Sequence, residues 1–434
     1  MTAVETVARA RVRSGASVEQ LVSHQRLPLV AALDSQRPAV HVWGCGAAEL
    51  RELGTIGGDS RSYGDGHPEA ARNPEIAIDW DRHDRAPSVA WHPDQPLLVV
   101  ASEGRVARWT PDGVSEMDGM ATGAAYREIA FSPDGQVLWA SPSPKAKETP
   151  WQPCSDAIDL ASGAVTSGRG WDTGVAAHPG GGLVAALRSD QAATLVIFGR
   201  SGQAGPPATM RVLRRAIILD ADGYKTPVFS ADGRRFAIRG NAYENSLEVF
   251  EFPSLNRAFA VTLGEPYPGH PAPPEWREHD RAWSRHNIAF GAQPGALWVG
   301  TPTGSLVELD LDNEHAVAHN VLAGSTVTAL CATAAGGLLV ATGAGDLALI
   351  SVVADSAPSR PADAPTAQDL VAAFLDESPE VPADGDLEGL LVLTNGTRTW
   401  EPDSLQTVTA ATSADPTWLQ LRAAVNKAFA QEQP

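Results

Sequence analysis

Residues 90–109 read AWHPDQPLLVVASEGRVARW, and a closely similar stretch, AFSPDGQVLWAS, begins at Ala130. Each stretch has a short apolar run, a turn that contains Pro and Asp, and a second apolar run. Proline fixes φ and an Asp–Gly pair allows a tight reversal, so the pattern predicts two antiparallel strands joined by a turn. Because the pattern recurs, we expect one small sheet to be built several times along the chain.

Seven copies of this pattern can be aligned on the residue that ends the first strand. These anchor residues are Ser23, Trp91, Phe131, Ala177, Phe229, Phe290 and Cys331. Their spacings range from 40 to 68 residues. A period near forty with variable insertions is typical of propeller blades. The second run is apolar, as an inner strand should be, and a more polar fourth strand such as HAVAHNVL suits an exposed rim.

The composite pattern FSPDG…LLVVAS…GRVARW resembles that of WD-repeat proteins over roughly residues 4–355. The resemblance implies an all-β fold, a seven-bladed β-propeller, and a role in binding other proteins. The two literal Trp–Asp pairs, Trp80–Asp81 and Trp171–Asp172, lie outside the predicted third strands.

Composition shifts divide the chain into a propeller over residues 1–356, a Pro/Ala linker over 357–366 and an acidic α/β extension over 367–434. The seventh copy lacks a fourth strand of its own, because proline-rich sequence follows its third strand. Residues 4–13, VETVARARVR, alternate small apolar and polar side chains and are predicted to supply that strand and close the last blade. The alternative for this segment is a frayed amphipathic helix.

The extension has its own signals for helices and a strand. Thr366 and Asp369 form a capping-box pattern, and LEGLLVLTNG predicts a strand that ends in an Asn–Gly turn. A last helix is predicted with Asp415 as its N-cap and Pro416 in its first turn, and with an apolar stripe formed by Trp418, Leu421, Val425 and Phe429. This stripe either packs against the propeller or docks another protein; residues 361–434 carry twelve acidic and three basic side chains.

Composition and charge exclude several partner classes. The formal net charge of −19 disfavours nucleic acid and anionic membranes, because both require a basic surface. The sequence has no apolar run long enough to span a bilayer, and its first residues lack the apolar core of a signal peptide. Three widely spaced cysteines fit a reducing compartment. We therefore expect a cytoplasmic protein.

Catalytic and metal-binding motifs do not emerge from the sequence. Residues 269–286 and the stretch IDWDRHDR at 78–85 are rich in His, Asp and Glu, but no metal-ligand spacing links these residues, and both are expected to be solvated loops. A nucleophile elbow and a phosphate loop are both missing from the sequence. We predict no enzyme activity, no cofactor and no metal. The alternative is a small-molecule-binding or metal-dependent hydrolytic propeller with a site at its central channel, where Asn241, Glu244 and Asn245 would be candidate ligands.

An insertion between the fifth and sixth copies carries Trp276, Arg277, Trp283 and Arg285. Exposed Trp and Arg are common in the energetically important centres of protein interfaces. These four residues are the predicted partner-binding site, unless the tryptophans fold back on the blade. We expect a non-enzymatic protein–protein interaction or scaffold module, either monomeric or a subunit of a hetero-complex, with a protein as its partner.

Overall fold

A computed structural model describes residues 2–117, 123, 126–143, 154–190, 193–200, 209–354, 364–382, 385, 387 and 389–432. Seven sheets of mainly antiparallel strands make up a seven-bladed β-propeller, and short helices follow it at the C-terminal end. The predicted all-β, seven-bladed fold with a small C-terminal α/β extension is thus confirmed. The expected linker falls mostly on residues 355–363, outside the described part of the chain.

Blades 1 to 3 each consist of four consecutive strands. Their bounds are β2 (Val18–Ser23), β3 (Leu29–Asp34), β4 (Ala39–Cys45) and β5 (Leu50–Gly57) in blade 1, β6 (Ser88–Trp91), β7 (Leu98–Ser102), β8 (Arg105–Thr110) and β9 (Gly113–Glu116) in blade 2, and β10 (Glu128–Phe131), β11 (Val137–Ser141), β12 (Cys154–Asp159) and β13 (Val165–Arg169) in blade 3.

Blades 4 to 6 also begin with four consecutive strands. Their bounds are β14 (Thr173–Ala177), β15 (Leu183–Asp190), β16 (Ala193–Arg200) and β17 (Arg211–Asp220) in blade 4, β18 (Val228–Phe229), β19 (Arg235–Arg239), β20 (Ser246–Glu251) and β21 (Arg257–Thr262) in blade 5, and β22 (Ile288–Phe290), β23 (Ala296–Gly300), β24 (Ser305–Asp310) and β25 (His315–Asn320) in blade 6.

Blade 7 takes its strands from both ends of the propeller sequence. Its strands are β26 (Val327–Ala332), β27 (Leu338–Thr342), β28 (Asp346–Ala354) and, on the outer edge, β1 (Thr2–Arg11). β1 runs antiparallel to β28, with Val4 opposite Val352. These first residues are therefore a strand and not the amphipathic helix considered as the alternative.

Five helices complete the described elements. They are α1 (Pro74–Arg85), α2 (Pro274–Ala282), α3 (Ala367–Glu377), α4 (Pro402–Thr407) and α5 (Thr417–Glu432). α1 and α2 show that the prediction of solvated loops was wrong, because the stretch at 78–85 is helical and so is the middle of the stretch at 269–286. Asp81 within α1 is buried and pairs with Arg61 at 3.0 Å and Arg85 at 2.7 Å. Burial acts to raise the pKa of Asp81, but hydrogen bonds from Arg61, the Gly64 amide and Arg85 outweigh it and lower that pKa.

The chain divides into two compact units. The first holds blades 1, 2, 3, 6 and 7 together with α1 and α2. The second holds blades 4 and 5 and the extension. The inner strands of both units are apolar because both faces of an inner strand are covered. Leu339 on β27 in the first unit and Leu187 on β15 in the second unit, for example, are fully buried.

Three histidine side chains, those of His24, His92 and His178, hold the turn between the first and second strands of their blades. In blade 4, His178 Nδ1 accepts a hydrogen bond from the amide of Gly180 at 3.0 Å. Its Nε2 lies 2.9 Å from the carbonyl oxygen of Gly233, before the second strand of blade 5. A backbone amide can only donate, so Nδ1 is the acceptor and Nε2 carries the proton. His24 links blades 1 and 2 in the same way, with Nε2 3.0 Å from the Gln95 carbonyl. Neutral imidazole rings thus connect neighbouring blades.

The extension adds to blade 4 instead of forming a separate body. Its strands β29 (Val392–Thr394) and β30 (Thr399–Trp400) extend the sheet to six strands, and β29 lies parallel to β17. α3 begins with the predicted capping box, in which Thr366 and Asp369 exchange side-chain and backbone hydrogen bonds. Phe374 on α3 is fully buried, with its ring centroid 5.1 Å from that of Phe198 in blade 4.

Candidate functional site

A cavity of about 1030 Å³ opens within the second unit. One wall is formed by the end of β17, and another by β20, β21 and the turn before β20. The third wall belongs to the extension, through Asn395 and residues 414–418. Cavities of several hundred Å³ or more are the usual places for ligands and inserted peptide side chains. This cavity is therefore the first candidate site in the second unit.

Two contacts fix the extension as the third wall. The amide of Arg257 on β21 donates to the carbonyl of Gly396 at 2.8 Å, which attaches the Asn395–Gly396 turn to blade 5. Asp220, the last residue of β17, accepts a hydrogen bond from the amide of Thr417 at 3.1 Å. This carboxylate lies at the amino end of α5, where exposed amides and the helix dipole favour negative charge.

Two glutamates of blade 5 line the cavity. Glu248 accepts hydrogen bonds from the Arg257 guanidinium at 3.2 Å and from the Tyr224 hydroxyl at 3.4 Å. Glu244 accepts the hydroxyl of Thr262 at 3.2 Å. Both glutamates are half-buried. Each is held in place by its neighbours, so its carboxylate is already oriented when a ligand arrives.

A further carboxylate comes from the extension. Asp415 accepts the amide of Thr412 at 2.8 Å and lies 3.1 Å from the Arg398 guanidinium. The hydrogen bonds from Thr412, followed by the charge of Arg398, lower the pKa of Asp415. It is therefore ionised throughout the neutral range. Asp415 was expected to cap the last helix, but α5 begins only at Thr417 and its amino end is covered by Asp220.

The charges around the cavity do not balance. The charged side chains described in its lining are the carboxylates of Asp220, Glu244, Glu248 and Asp415 and the guanidinium of Arg257. Four negative charges against one positive charge give the lining a net charge of −3, and Arg398, which pairs with Asp415 from outside the lining, reduces this to −2. Such a lining attracts cations and repels anionic ligands.

Aromatic rings lie beside these carboxylates. Tyr243 and Tyr267 both line the cavity, with their ring centroids 5.8 Å apart. Tyr243 is 54% exposed. The faces of aromatic rings attract ammonium and guanidinium groups, so tyrosines next to carboxylates form a suitable environment for an organic cation. Chemically, the cavity is suited to holding basic side chains.

Part of this cavity was visible in the sequence. Asn241 and Glu244, considered as possible ligands, lie in the turn between the second and third strands of blade 5 as expected, and both line the cavity. Asn241 Oδ1 accepts the amides of Tyr243 and Glu244 at 2.8 Å each, which fixes the turn. Asn245 points elsewhere and accepts a hydrogen bond from buried Arg239 at 3.1 Å.

The predicted partner-binding residues belong to the first unit and are not among the residues that line this cavity. Trp276 and Arg277 belong to α2, Trp283 follows it directly, and Arg285 precedes β22. Arg277 is exposed and the other three are half-buried, and α2 contains no buried residue. Burial lowers the pKa of Arg285. Whether these four residues bind a partner stays a prediction.

α1 carries an exposed apolar pair that the sequence reading missed. Ile76 is 40% exposed and Trp80 is 57% exposed, and they share one face of the helix because they are four residues apart. Glu75 on α1 pairs with Arg281 on α2, so the two helices are joined. Apolar spacing within 74–85 was the available signal, but the acidic residues there suggested a loop.

Among the residues that the structure describes, no group of three or more His, Cys, Asp or Glu side chains is placed to hold a metal ion. No helix in those same residues has the length and apolar content needed to cross a membrane.

No protein-family model matches the sequence, and no curated protein matches it. The resemblance to WD-repeat proteins therefore rests on the repeat pattern alone, whereas the seven-bladed fold is a property of the structure.

Proposed function

We propose that this protein is a non-enzymatic interaction module and that the cavity in its second unit binds a basic segment of a protein partner. One observation carries this proposal: the cavity is lined by four carboxylates and only one guanidinium, and also by the rings of Tyr243 and Tyr267. Propellers commonly serve protein interaction, because a rigid fold presents several loops at a low ordering cost. We further propose a cytoplasmic setting, since all three cysteines are free.

The size of the cavity favours a peptide segment over a single small cation. About 1030 Å³ lies at the upper end of the range for sites that enclose a whole drug-sized molecule. The carboxylates also come from three separate elements, namely β17, blade 5 and the extension. A segment with two or more basic side chains can reach several of them at once, whereas one ammonium group cannot.

The test measures binding of a fluorescein-labelled twelve-residue peptide with four arginines interspersed with Ala and Gly. Fluorescence anisotropy is recorded on the full chain at physiological ionic strength, where long-range attraction is screened. The double variant E244Q/E248Q keeps the shape of the lining and removes two charges. We expect it to bind about tenfold more weakly, which corresponds to about 1.4 kcal/mol.

A charge-matched control is available in blade 2. Asp112 and Glu116 are exposed and lie in the first unit, so D112N/E116Q changes the net charge equally without altering the cavity. We expect less than a twofold effect from it. Equal weakening by both double variants would contradict the proposal, because the peptide would then be responding to overall charge alone.

The same titration with spermidine as the probe separates a peptide site from a small-cation site. We expect the arginine peptide to bind much more tightly than spermidine. Tight spermidine binding that is lost in E244Q/E248Q, together with weak peptide binding, would overturn the peptide assignment and favour a small-molecule function.

A further inference from the structure

The exposed side of α5 has an apolar stripe that the protein itself leaves open. Leu421 and Val425 are each 50% exposed and Phe429 is 64% exposed. Of the two alternatives for this stripe, packing against the propeller therefore does not hold for these three residues, whereas Trp418 at the start of the stripe is 8% exposed. Three large apolar side chains in a row on one helix face are unusual on a free surface and indicate an interaction site.

The opposite side of α5 explains why this stripe faces outward. Leu419 and Ala423 are each 3% exposed and form the inward face. Asn426 fixes the rotation of the helix, since its side-chain amide donates to the carbonyls of Leu405 and Val408 at 2.9 and 2.8 Å. The stripe cannot turn inward without breaking these contacts.

The stripe is continuous with the acidic cavity. In an α-helix each residue advances by about 100°, so Trp418, Leu421, Val425 and Phe429 fall within a sector of about 80°. Trp418 lines the cavity and thus joins the two surfaces. From Trp418 to Phe429 the surface extends about 16 Å along the helix, which is three turns.

The shape of this surface is suited to the packing of a second helix. Leu421, Val425 and Phe429 form a ridge of residues spaced by four, and exposed Ala424 and Ala428 form a low row beside it. A ridge next to a groove is the geometry in which a second helix packs. Helices that dock in this way present apolar residues three and four positions apart.

We infer that the partner segment is an amphipathic helix whose apolar stripe covers Leu421, Val425 and Phe429 and whose basic end enters the acidic cavity. This inference rests on the proposed function. An antiparallel partner helix would bring its carboxyl end to the cavity, and cations are favoured at that end of a helix. The partner is therefore a helix with an apolar face and with Lys or Arg in its last turn.

The test compares two labelled eighteen-residue peptides of identical composition. Both end in four basic residues; one has leucines spaced by three and four, and in the other the leucines are scrambled. We expect the amphipathic peptide to bind the full chain about tenfold more tightly, with a rise in helical circular dichroism. L421S/V425S/F429S should abolish this difference and leave the affinity for the scrambled peptide unchanged.

A matched control removes three exposed apolar side chains elsewhere. V114S/V165S/V317S alters residues that are 50%, 44% and 40% exposed in the first unit, and it should preserve the tenfold difference. Loss of the difference in this control would overturn the inference.

Two further outcomes separate this inference from the proposed function. Equal binding of both peptides that remains sensitive to E244Q/E248Q would overturn the helix inference and leave the cavity assignment standing. Binding of neither peptide would overturn both. Sedimentation of the wild type as a dimer, and of L421S/V425S/F429S as a monomer, would show a second copy on the stripe and would also overturn the inference.

Discussion

Asp220 and Thr417 are joined by three hydrogen bonds between the end of blade 4 and the start of the last helix. The two oxygens of the Asp220 carboxylate accept hydrogen bonds from the Thr417 amide at 3.1 and 3.4 Å. The carboxylate also accepts a hydrogen bond from the Thr417 hydroxyl at 3.3 Å. The helix thus obtains its amino-terminal cap from a residue that is distant in sequence. This one contact both stabilises α5 and forms part of the cavity wall.

Substitution D220A should loosen α5. Loss of an N-cap carboxylate typically costs about 1 kcal/mol, so we expect the free energy of unfolding to fall by roughly that amount. Hydrogen exchange should accelerate in the first turn of α5 before it does elsewhere. D112A, at an exposed position in blade 2, is the control and should leave both measurements unchanged. Unaltered exchange in D220A would show that the cap is dispensable.

The three histidines of the turns should make the protein sensitive to mild acid. Burial is the largest cause that lowers the pKa of His24, His92 and His178. A group with a lowered folded-state pKa stabilises the fold fully above its unfolded value, about 6.5, and loses that effect as the pH falls toward the folded value. Denaturant unfolding should therefore show a lower free energy at pH 5.5 than at pH 7.5.

The variant H178S isolates this effect, because Ser132 and Ser230 occupy the equivalent turn positions in blades 3 and 5. We expect H178S to be less stable at pH 7.5 but to lose less stability than the wild type between pH 7.5 and 5.5. H315S, at an exposed position on β25, is the control. An unchanged pH difference in H178S would refute the assignment.

His41 affects the pH dependence of stability in the opposite direction. Burial acts to lower its pKa, but hydrogen bonds and charges from Asp34 and Glu52 outweigh burial and raise it. Its stabilising effect is therefore complete at low pH and is lost as the pH rises through the folded-state value. For this reason the comparison of H178S with the wild type, and not the wild-type profile alone, identifies the histidines of the turns.

Gly396 should tolerate no side chain. Its φ is +85°, and an added Cβ would lie 2.6 Å from the Arg257 Cβ and 2.8 Å from the Arg257 amide nitrogen. G396A should displace the turn that closes the cavity, and limited proteolysis should then cleave the extension faster. Gly163 has φ +70° with nothing within 4 Å, so G163A measures the cost of the backbone alone. Equal protease sensitivity in the two variants would contradict the steric explanation.

Two phenylalanines of the extension should differ sharply in their contribution to stability. Phe374 is fully buried against Phe198 and Phe252, at centroid distances of 5.1 and 4.9 Å. F374A should therefore lower the free energy of unfolding by about 3–5 kcal/mol. F429A removes a side chain that is 64% exposed and should change it little. A small effect of F374A would mean that the extension folds independently of blades 4 and 5.

The sequence was sufficient for most of the propeller because its signals are local. Six of the seven anchors end a first strand, and Cys331 lies one residue before the end of β26. Apolar runs and Pro, Asp and Gly turns act over a few residues, so they can be read without knowing the partners. The capping box at Thr366 was predictable for the same reason.

The cavity was not predictable, because it depends on how distant segments meet. Nothing near Val392 indicates that β29 pairs in parallel with β17. The sequence of α5 also does not show that the helix face with Leu419 and Ala423 is the buried one, since both faces of this helix contain apolar residues. Only the tertiary contacts decide which of the two faces is covered.

The pairing of β17 with β29 also has a consequence for biosynthesis. Arg215 is opposite Val392, so a growing chain that has completed blades 4 to 7 still has an unsatisfied edge on β17. Unpaired strand edges promote association between nascent chains. A segment synthesised much later thus protects a sheet made earlier, and premature termination before Val392 should yield an aggregation-prone product.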